Sequence, residues 1–428
     1  MKKISAIVIG AGNRGDRYAG LMHASGDKYE VVGMADPAEA RRNHFQKAYG
    51  VPAENCFESW EGILAQPKMA DVAVIATVDN MHYEPALLAI EKGYDLLLEK
   101  PVAPTAEECA HILRAAREKG VKVLVGHVLR YSPFYSRLKE LVMSGIIGEV
   151  VSIDQVEGIG NVHYSHSYVR GNWHNTAFSA PMLLAKSCHD LDIIQWLLDK
   201  PCRRVSSFGS LTHFVEKNAP EGAPVRCSDG TCPAYDTCPY NCIKHYVEFK
   251  ENPRRQIITK GIAANYVATD AEVMTALKTT DYGLCVYHAH NNVADHQVVN
   301  MEFADGITAT LNVNAFNKGG RYTRIYGTKG EIYAHMKDTE IQVYTYEDKK
   351  TTMVTVTKTD ETINGGHGGG DAGIVKEMYE YFAGQYTGFR AADLDISVQN
   401  HMIGFAAEEA RLKRTVVDVQ ARIREYGL

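Results

Sequence analysis

Lys100 lies between Glu99 and Pro101 at the end of an apolar run, Tyr94 to Leu98. Open parallel sheets collect their ligands at the carboxyl edge of the strands, so a lysine there is placed to meet one. Pro101 and Pro104 then restrict how the chain leaves. A second reactive candidate comes late in the chain. Asn364-Gly-Gly-His367-Gly-Gly-Gly-Asp371 offers one imidazole from a loop with five glycines, just before a helix-like stretch from Ile374 to Phe382. Glycines let the backbone come close to a ligand while the histidine projects from it, so His367 reads as a site residue and Asp371 as a helix cap.

Near the start, Ile4 to Ile9 leads straight into Gly10-Ala-Gly12-Asn-Arg-Gly15. In this G-x-G-x-x-G spacing the first glycine permits a tight turn, the second admits a pyrophosphate to the backbone, and the third lets helix pack on strand. A following helix would aim its N-terminus at the phosphates. A second apolar run, Glu30 to Ala35, ends at Asp36, which lies 36 − 15 = 21 residues beyond Gly15. That is where a ribose-binding carboxylate belongs, and it favours NAD over NADP. Asp36 could equally cap the turn before Pro37, and both roles are compatible. Basic residues follow at Arg41 and Arg42, so some tolerance of NADP is retained in this reading.

Two further stretches carry unusual chemistry. His163 to Asn175 holds three His, two Tyr, a Trp, an Arg and two Asn in thirteen residues. Sugars call for this mixture, with aromatic faces for C–H surfaces and fixed donors and acceptors for hydroxyls. His163, Tyr168, Arg170, Trp173 and His174 are therefore candidate substrate contacts, against the alternative of a polar loop at a subunit contact. Cys227, Cys232, Cys238 and Cys242 fall within sixteen residues. They suit a structural Zn²⁺, a pair of labile disulfides, or four independent thiols.

The elements that must position these groups follow from hydrophobic pattern. The runs Ile4 to Ile9, Glu30 to Ala35, Asp71 to Ala76 and Tyr94 to Leu98, with helical stretches between them, have the rhythm of a doubly wound parallel sheet. Met301 to Val313 and Thr323 to Tyr333 alternate and turn as antiparallel strands, and Ser397 to Arg411 reads as a helix. Composition narrows the class. Lys and Arg number 46 against 52 Asp and Glu, a net charge of −6 that argues against nucleic-acid partners and basic membrane-surface binding. With 45% hydrophobic and 23% charged residues the 428-residue chain is ordinary globular protein of two or three domains. The apolar start is cut short by Asn13, Arg14 and Asp16, no run is long enough for a membrane span, and nine cysteines are too sparse for a disulfide scaffold. A soluble, cytoplasmic protein is expected.

The chain resembles the Gfo/Idh/MocA oxidoreductases. The resemblance rests on Gly10 to Gly15, Ala76-Thr77 to His82, Glu99-Lys100-Pro101, Val125 to Tyr131, Gly145 to Gly148, His189-Asp-Leu-Asp192 and Gly327 to Gly330. It implies an N-terminal Rossmann domain over residues 1–125. An α/β domain with a large open, mostly antiparallel sheet would follow over 126–428, interrupted by a Cys-rich insertion at about 220–247. It further implies that Gly10, Gly12, Asn13, Arg14, Gly15, Asp36, Thr77, His82, Glu99, Lys100 and Arg130 serve the cofactor. Lys100 would also stand near the nicotinamide and the reacting hydroxyl, with Asp192 beside the substrate. A homo-oligomer, dimer or tetramer, is expected through the sheet face.

One departure stands out. Many members carry an Asp four residues before the motif histidine, whereas here Ala185 holds that position and Lys186 lies three residues before His189. Lys186 and His189 then share one helical face and become a candidate pair. The reading is an NAD-dependent enzyme oxidising a secondary hydroxyl of a sugar, glycoside or cyclitol, with Lys100 at the oxygen and His189 as partner. The alternative is a redox-assisted glycosidase that oxidises, eliminates, adds water and re-reduces. A non-catalytic sensor would have shed Lys100 and His189, and both are present.

Overall fold

Ile4–Ile9, rich in Ile and Val, is almost wholly buried, as a strand covered on both faces must be. The computed structural model, which describes residues 2–251, 255–356 and 366–428, places it as β1. With it come β2 (Tyr29–Ala35), β3 (Cys56–Phe57), β4 (Val72–Ile75), β5 (Asp95–Leu98) and β6 (Val123–Val125), in the order β3-β2-β1-β4-β5-β6. β1 pairs in parallel with both β2 and β4, so the strand order reverses beside it. Open α/β sheets bind ligands at such a switch point. The connecting helices are those the pattern calls for, including Asn13–Ala24 after β1 and Tyr83–Glu91 after β4. Ala106–Lys119 opens on a Thr105/Glu108 capping box and closes on Gly120 at φ 69°.

A nine-stranded mixed sheet forms the second layer system. Its strands are β7 (Val150–Gly158), β8 (Cys202–Ser210), β9 (His296–Phe303), β10 (Thr308–Asn314), β11 (Gly320–Gly327), β12 (Gly330–His335), β13 (Glu340–Thr345), β14 (Lys350–Thr355) and β15 (Val417–Asp418). They run in the order β14-β13-β12-β11-β7-β10-β9-β8-β15. β7 and β10 are parallel, while β9/β10, β7/β11, β11/β12, β12/β13, β13/β14 and β8/β15 are antiparallel. β9 and β10 bury alternate residues, the pattern of a sheet with one face on a core. This is the α/β class with a Rossmann sheet and a second, mostly antiparallel one. Among the described residues no helix is long and apolar enough to cross a membrane.

Grouped by contact, the chain makes two compact units, Met1–Leu96 with Asn161–Met182 and Ser210–Asp295, and Leu97–Gly160 with Leu183–Gly209 and His296–Leu428. Sequence order and compact units therefore do not coincide. In the second unit the helices Met182–Leu198 and Leu394–Lys413 approach closely, because a Cβ on Gly404 would lie only 2.6 Å from Leu184 Cδ2. The helix Gly370–Phe382 sits tightly on the turn Val128–Tyr131, where Cβ atoms on Gly370 and Gly373 would run into the carbonyl oxygens of Val128 and Tyr131. Gly370→Ala is expected to lower stability by about 1–3 kcal/mol through overpacking against rigid backbone. Gly261→Ala, in a helix where a Cβ meets nothing within 4 Å, is expected to be neutral or stabilising by up to about 1 kcal/mol. Urea midpoints of the two variants test the contrast.

Candidate active site

The dinucleotide loop belongs to the first unit. Gly10 has φ +88°, and a Cβ there would stand 2.7 Å from Ala76 O, so the end of β1 is packed directly against the end of β4. A Cβ on Gly15 would collide with the Gly10 carbonyl, whereas one on Gly12 meets nothing within 4 Å. The first and third glycines are thus forced by packing and the second opens space for a ligand. The helix Asn13–Ala24 starts at Gly12 without a side-chain cap, and a helix N-terminus attracts an anion. Asp36 caps the turn before Pro37, its carboxylate accepting from Ala38 N at 2.9 Å, and it also holds the loop by accepting from Ala11 N at 2.8 Å. Arg41 meets the same carboxylate at 3.2 Å. Thr77 donates to Met81 O at 2.9 Å and His82 Nε2 donates to Thr77 O at 3.2 Å, shaping the turn after β4. The loop, its uncapped helix and its carboxylate fit a dinucleotide.

Lys100, His189 and His367 gather in the second unit. Lys100 donates from Nζ to the Ala185 carbonyl at 2.9 Å, the position where the resemblance would place an aspartate. His189, one turn further along the helix, is 4% exposed, and its Nδ1 has no hydrogen-bond partner among the described residues. Its ring lies 5.6 Å from that of His367 and 5.8 Å from that of His127, which in turn lies 5.7 Å from His401. His367 occupies the left-handed region at φ 56°, followed by Gly368 and Gly369 at φ 64° and 93°. Such a conformation costs a non-glycine residue of order 1–3 kcal/mol and here holds the imidazole at the site. Its Nδ1 donates to the buried Asp371 carboxylate at 3.1 Å, so Nε2 is the basic nitrogen of the neutral ring. Asn364 and Gly365 of the same loop lie outside the described residues.

Burial, and then the Lys100 charge, hold His189 well below the usual histidine range, so it is a neutral imidazole that resists protonation. Burial likewise lowers His127. His401 is pushed down to about 3, and Val102 N–H donates to its Nε2 at 3.0 Å, which fixes the proton on Nδ1 facing Ser397 O. His127 and His401 escaped the sequence reading. A polar pair, Asn400-His401, directly before the apolar run Met402 to Ala407 was the available signal for the second.

Other candidates are committed elsewhere. Arg130 is buried and forks onto Asp192 at 2.8 and 2.6 Å, while Asn400 donates to the same carboxylate at 2.8 Å. Glu99 accepts from its neighbour's N–H, Lys100 N, at 3.1 Å. Lys186 turns from His189 to Glu157, at 3.1 Å, and Arg321 bridges Glu157 at 2.8 Å and Asp190 at 2.9 Å. Two cations thus meet two carboxylates in a neutral buried network. In the first unit, Arg170 is buried and donates to the carbonyls of Leu284 at 2.7 Å and Tyr240 at 2.8 Å. Tyr168 stacks between Tyr164 and Trp173 with centroids at 5.4 and 5.9 Å, His163 lies against it at 6.2 Å, and His174 donates to Gly171 O at 2.8 Å.

The Zn²⁺ expectation is corrected. Among the described residues no group of three or more His, Cys, Asp or Glu is arranged to hold a metal ion. All nine cysteines are free thiols. Cys242 is drawn into an apolar cluster with Tyr246, Ile262, Val273 and Leu277, leaving Cys227, Cys232 and Cys238 to line a cavity with Cys285. A hydrogen bond from the Cys242 thiol, with Arg170 nearby, lowers Cys227 to about 6.

His127, His166, His189 and His401 all bind protons less readily folded than unfolded, where histidine titrates near 6.5. His166 is lowered to about 4 and His401 to about 3. Between about pH 6.5 and 4 the unfolded chain therefore carries the extra protons, and stability falls as pH falls, by up to about 1.4 kcal/mol per pH unit for each imidazole. The urea midpoint is expected to drop from pH 7 to pH 5, with a shallower drop in His401→Gln. A midpoint unchanged over that range would show these rings protonating in the folded protein.

Comparison with known proteins agrees with this geometry. Residues 4–127 match the oxidoreductase family's NAD-binding Rossmann fold and residues 139–391 its C-terminal alpha/beta domain. The chain is 25% identical over 382 residues to a Bacillus subtilis (strain 168) protein named as the oxidoreductase YteT, covering 84% of each chain. It is 26% identical over 151 residues to the 2,7-anhydro-N-acetylneuraminate hydratase of Escherichia coli (strain K12), a match to 35% of this chain and 40% of that one. The fold superposes on scyllo-inositol dehydrogenase from Lactobacillus casei, solved with NAD(H) and scyllo-inositol, with a TM-score of 0.64 at 18% identity over 98% of this chain and 100% of that one. The chain belongs to the Gfo/Idh/MocA family and is an NAD-binding oxidoreductase.

Proposed function

We propose that this oxidoreductase removes hydride from a secondary hydroxyl of a sugar, glycoside or cyclitol. The observation that carries the reading is Lys100, held by the Ala185 carbonyl beside a neutral, buried His189. NAD, when bound on the glycine loop, supplies the hydride acceptor. Lys100 orients the reacting hydroxyl through its ammonium and stabilises the oxygen as negative charge develops. His189, kept unprotonated by its surroundings, offers its open Nδ1 as an acceptor to the hydroxyl and passes the proton on, being too weak a base to hold it. Asp36 turns the remaining lone pair of its carboxylate to a ribose hydroxyl. Arg130 and Asp192 act by holding this scaffold.

A second reading is favoured by one observation, the His367–Asp371 dyad at 3.1 Å. A simple dehydrogenase has no need of another acid/base group within reach of His189. A cycle that oxidises a glycoside, expels the aglycone by elimination, adds water and returns the hydride does need one. The similarity to a hydratase of an anhydro sugar points the same way. The enzyme is further proposed to work in the cytoplasm, where nine free thiols persist. A homo-oligomer is supported by exposed Tyr333 on β12 and Met353 on β14.

The deciding experiment incubates the protein with NAD⁺ and a panel of nitrophenyl glycosides and free sugars, following phenolate and NADH on separate samples. NADH without phenolate is expected of the dehydrogenase, and NAD-dependent phenolate without accumulating NADH establishes the glycosidase. Lys100→Met is expected to lower kcat by roughly 10²–10⁴ in either case. His367→Ala is expected to abolish phenolate release while leaving exchange of substrate C–H hydrogen through the cofactor measurable.

A further inference from the structure

Although 244 residues separate them in sequence, Lys260 Nζ donates to Asp16 Oδ2 at 2.6 Å, in the first turn of the helix that opens on the dinucleotide loop. Tyr266 OH donates to Ala11 O, inside that loop, at 2.7 Å. Ala11 is thus held twice, by its N–H to Asp36 at 2.8 Å and by its carbonyl to Tyr266. The contacts support one another. Lys260 Nζ lies 3.8 Å above the Tyr266 ring, which stacks on His44 with centroids 3.9 Å apart. Asp16 also meets His44 Nε2 at 3.0 Å and accepts from Tyr49 OH at 2.7 Å. The segment carrying Lys260 is anchored by Ile262, buried in the apolar cluster with Tyr246, Val273 and Leu277. None of this fills the space over Gly12, where an added Cβ still meets nothing within 4 Å.

We propose that Ile258–Thr269 is a clasp on the dinucleotide loop, and that Lys260 and Tyr266 retard release of bound NAD so that one cofactor molecule stays through many turnovers. Opening the loop requires breaking the Lys260–Asp16 and Tyr266–Ala11 contacts together with the stack on His44. These contacts stabilise the loop in its cofactor-holding shape, so their loss is read chiefly in the dissociation rate.

The test uses the full chain and needs no sugar, so it stands or falls independently of the proposed chemistry. Protein loaded with NADH is mixed with excess NAD⁺ and loss of cofactor fluorescence is followed, while nucleotide in the purified protein is counted after acid extraction. Lys260→Ala and Tyr266→Phe are expected to speed NADH release at least about tenfold, with association changed little, and to lower the nucleotide retained on purification. Tyr266→Phe keeps the ring and loses only the hydroxyl, so it remains informative if Lys260→Ala fails to fold. Release from folded Tyr266→Phe at the wild-type rate would overturn the proposal.

Discussion

The buried ion pair between Arg130 and Asp192 is the interaction on which the reactive half depends. The guanidinium forks onto the carboxylate at 2.8 and 2.6 Å, donates to Ala391 O at 3.2 Å, and shares Asp192 with Asn400 at 2.8 Å. These contacts tie together the turn after β6, the helix Met182–Leu198 and the helix Leu394–Lys413. Each carries one imidazole of the central string, His127, His189 and His401 respectively. Removing one partner of such a pair leaves an uncompensated buried charge, at a cost of about 3–5 kcal/mol. The pair therefore enforces a geometry more than it adds stability, since both groups gave up water to form it.

Around that frame the histidines divide their tasks by surroundings alone. His401 has its tautomer dictated by a backbone donor and is a fixed support. His189 is stripped of solvent near a lysine, which keeps it neutral and makes it a weak base. His367 keeps an aspartate partner and about a third of its surface open, the circumstances of a group that exchanges protons with a ligand. Identical side chains thus acquire different protonation behaviour from burial, hydrogen bonding and neighbouring charge.

Replacement of the usual aspartate by Ala185 is met by local rearrangement. A backbone carbonyl takes over as the anchor for Lys100. The neighbouring Lys186 brings a positive charge into a buried region, where Glu157 from β7 accepts it and Arg321 and Asp190 complete a neutral set. Cross-strand pairing sets this arrangement, because Arg321 on β11 lies opposite Glu157 on β7.

By itself the sequence determined the elements and the cofactor loop. Apolar runs of the right length, glycines where Cβ atoms would collide, and a carboxylate 21 residues on from Gly15 are local signals with local physical causes. Lys100 and His367 were legible for the same reason, each standing at an element boundary. The tertiary structure decided which charges meet. That Lys186 serves Glu157, that Arg170 ties down the Cys-rich segment, that Cys242 joins an apolar core while Cys285 takes its place in the cavity, and that Lys260 and Tyr266 reach the glycine loop depend on contacts between segments far apart in the chain. Residue type states what a side chain can bond to, whereas partner choice follows from which surfaces the packing of helices and sheets brings within about 3 Å of each other.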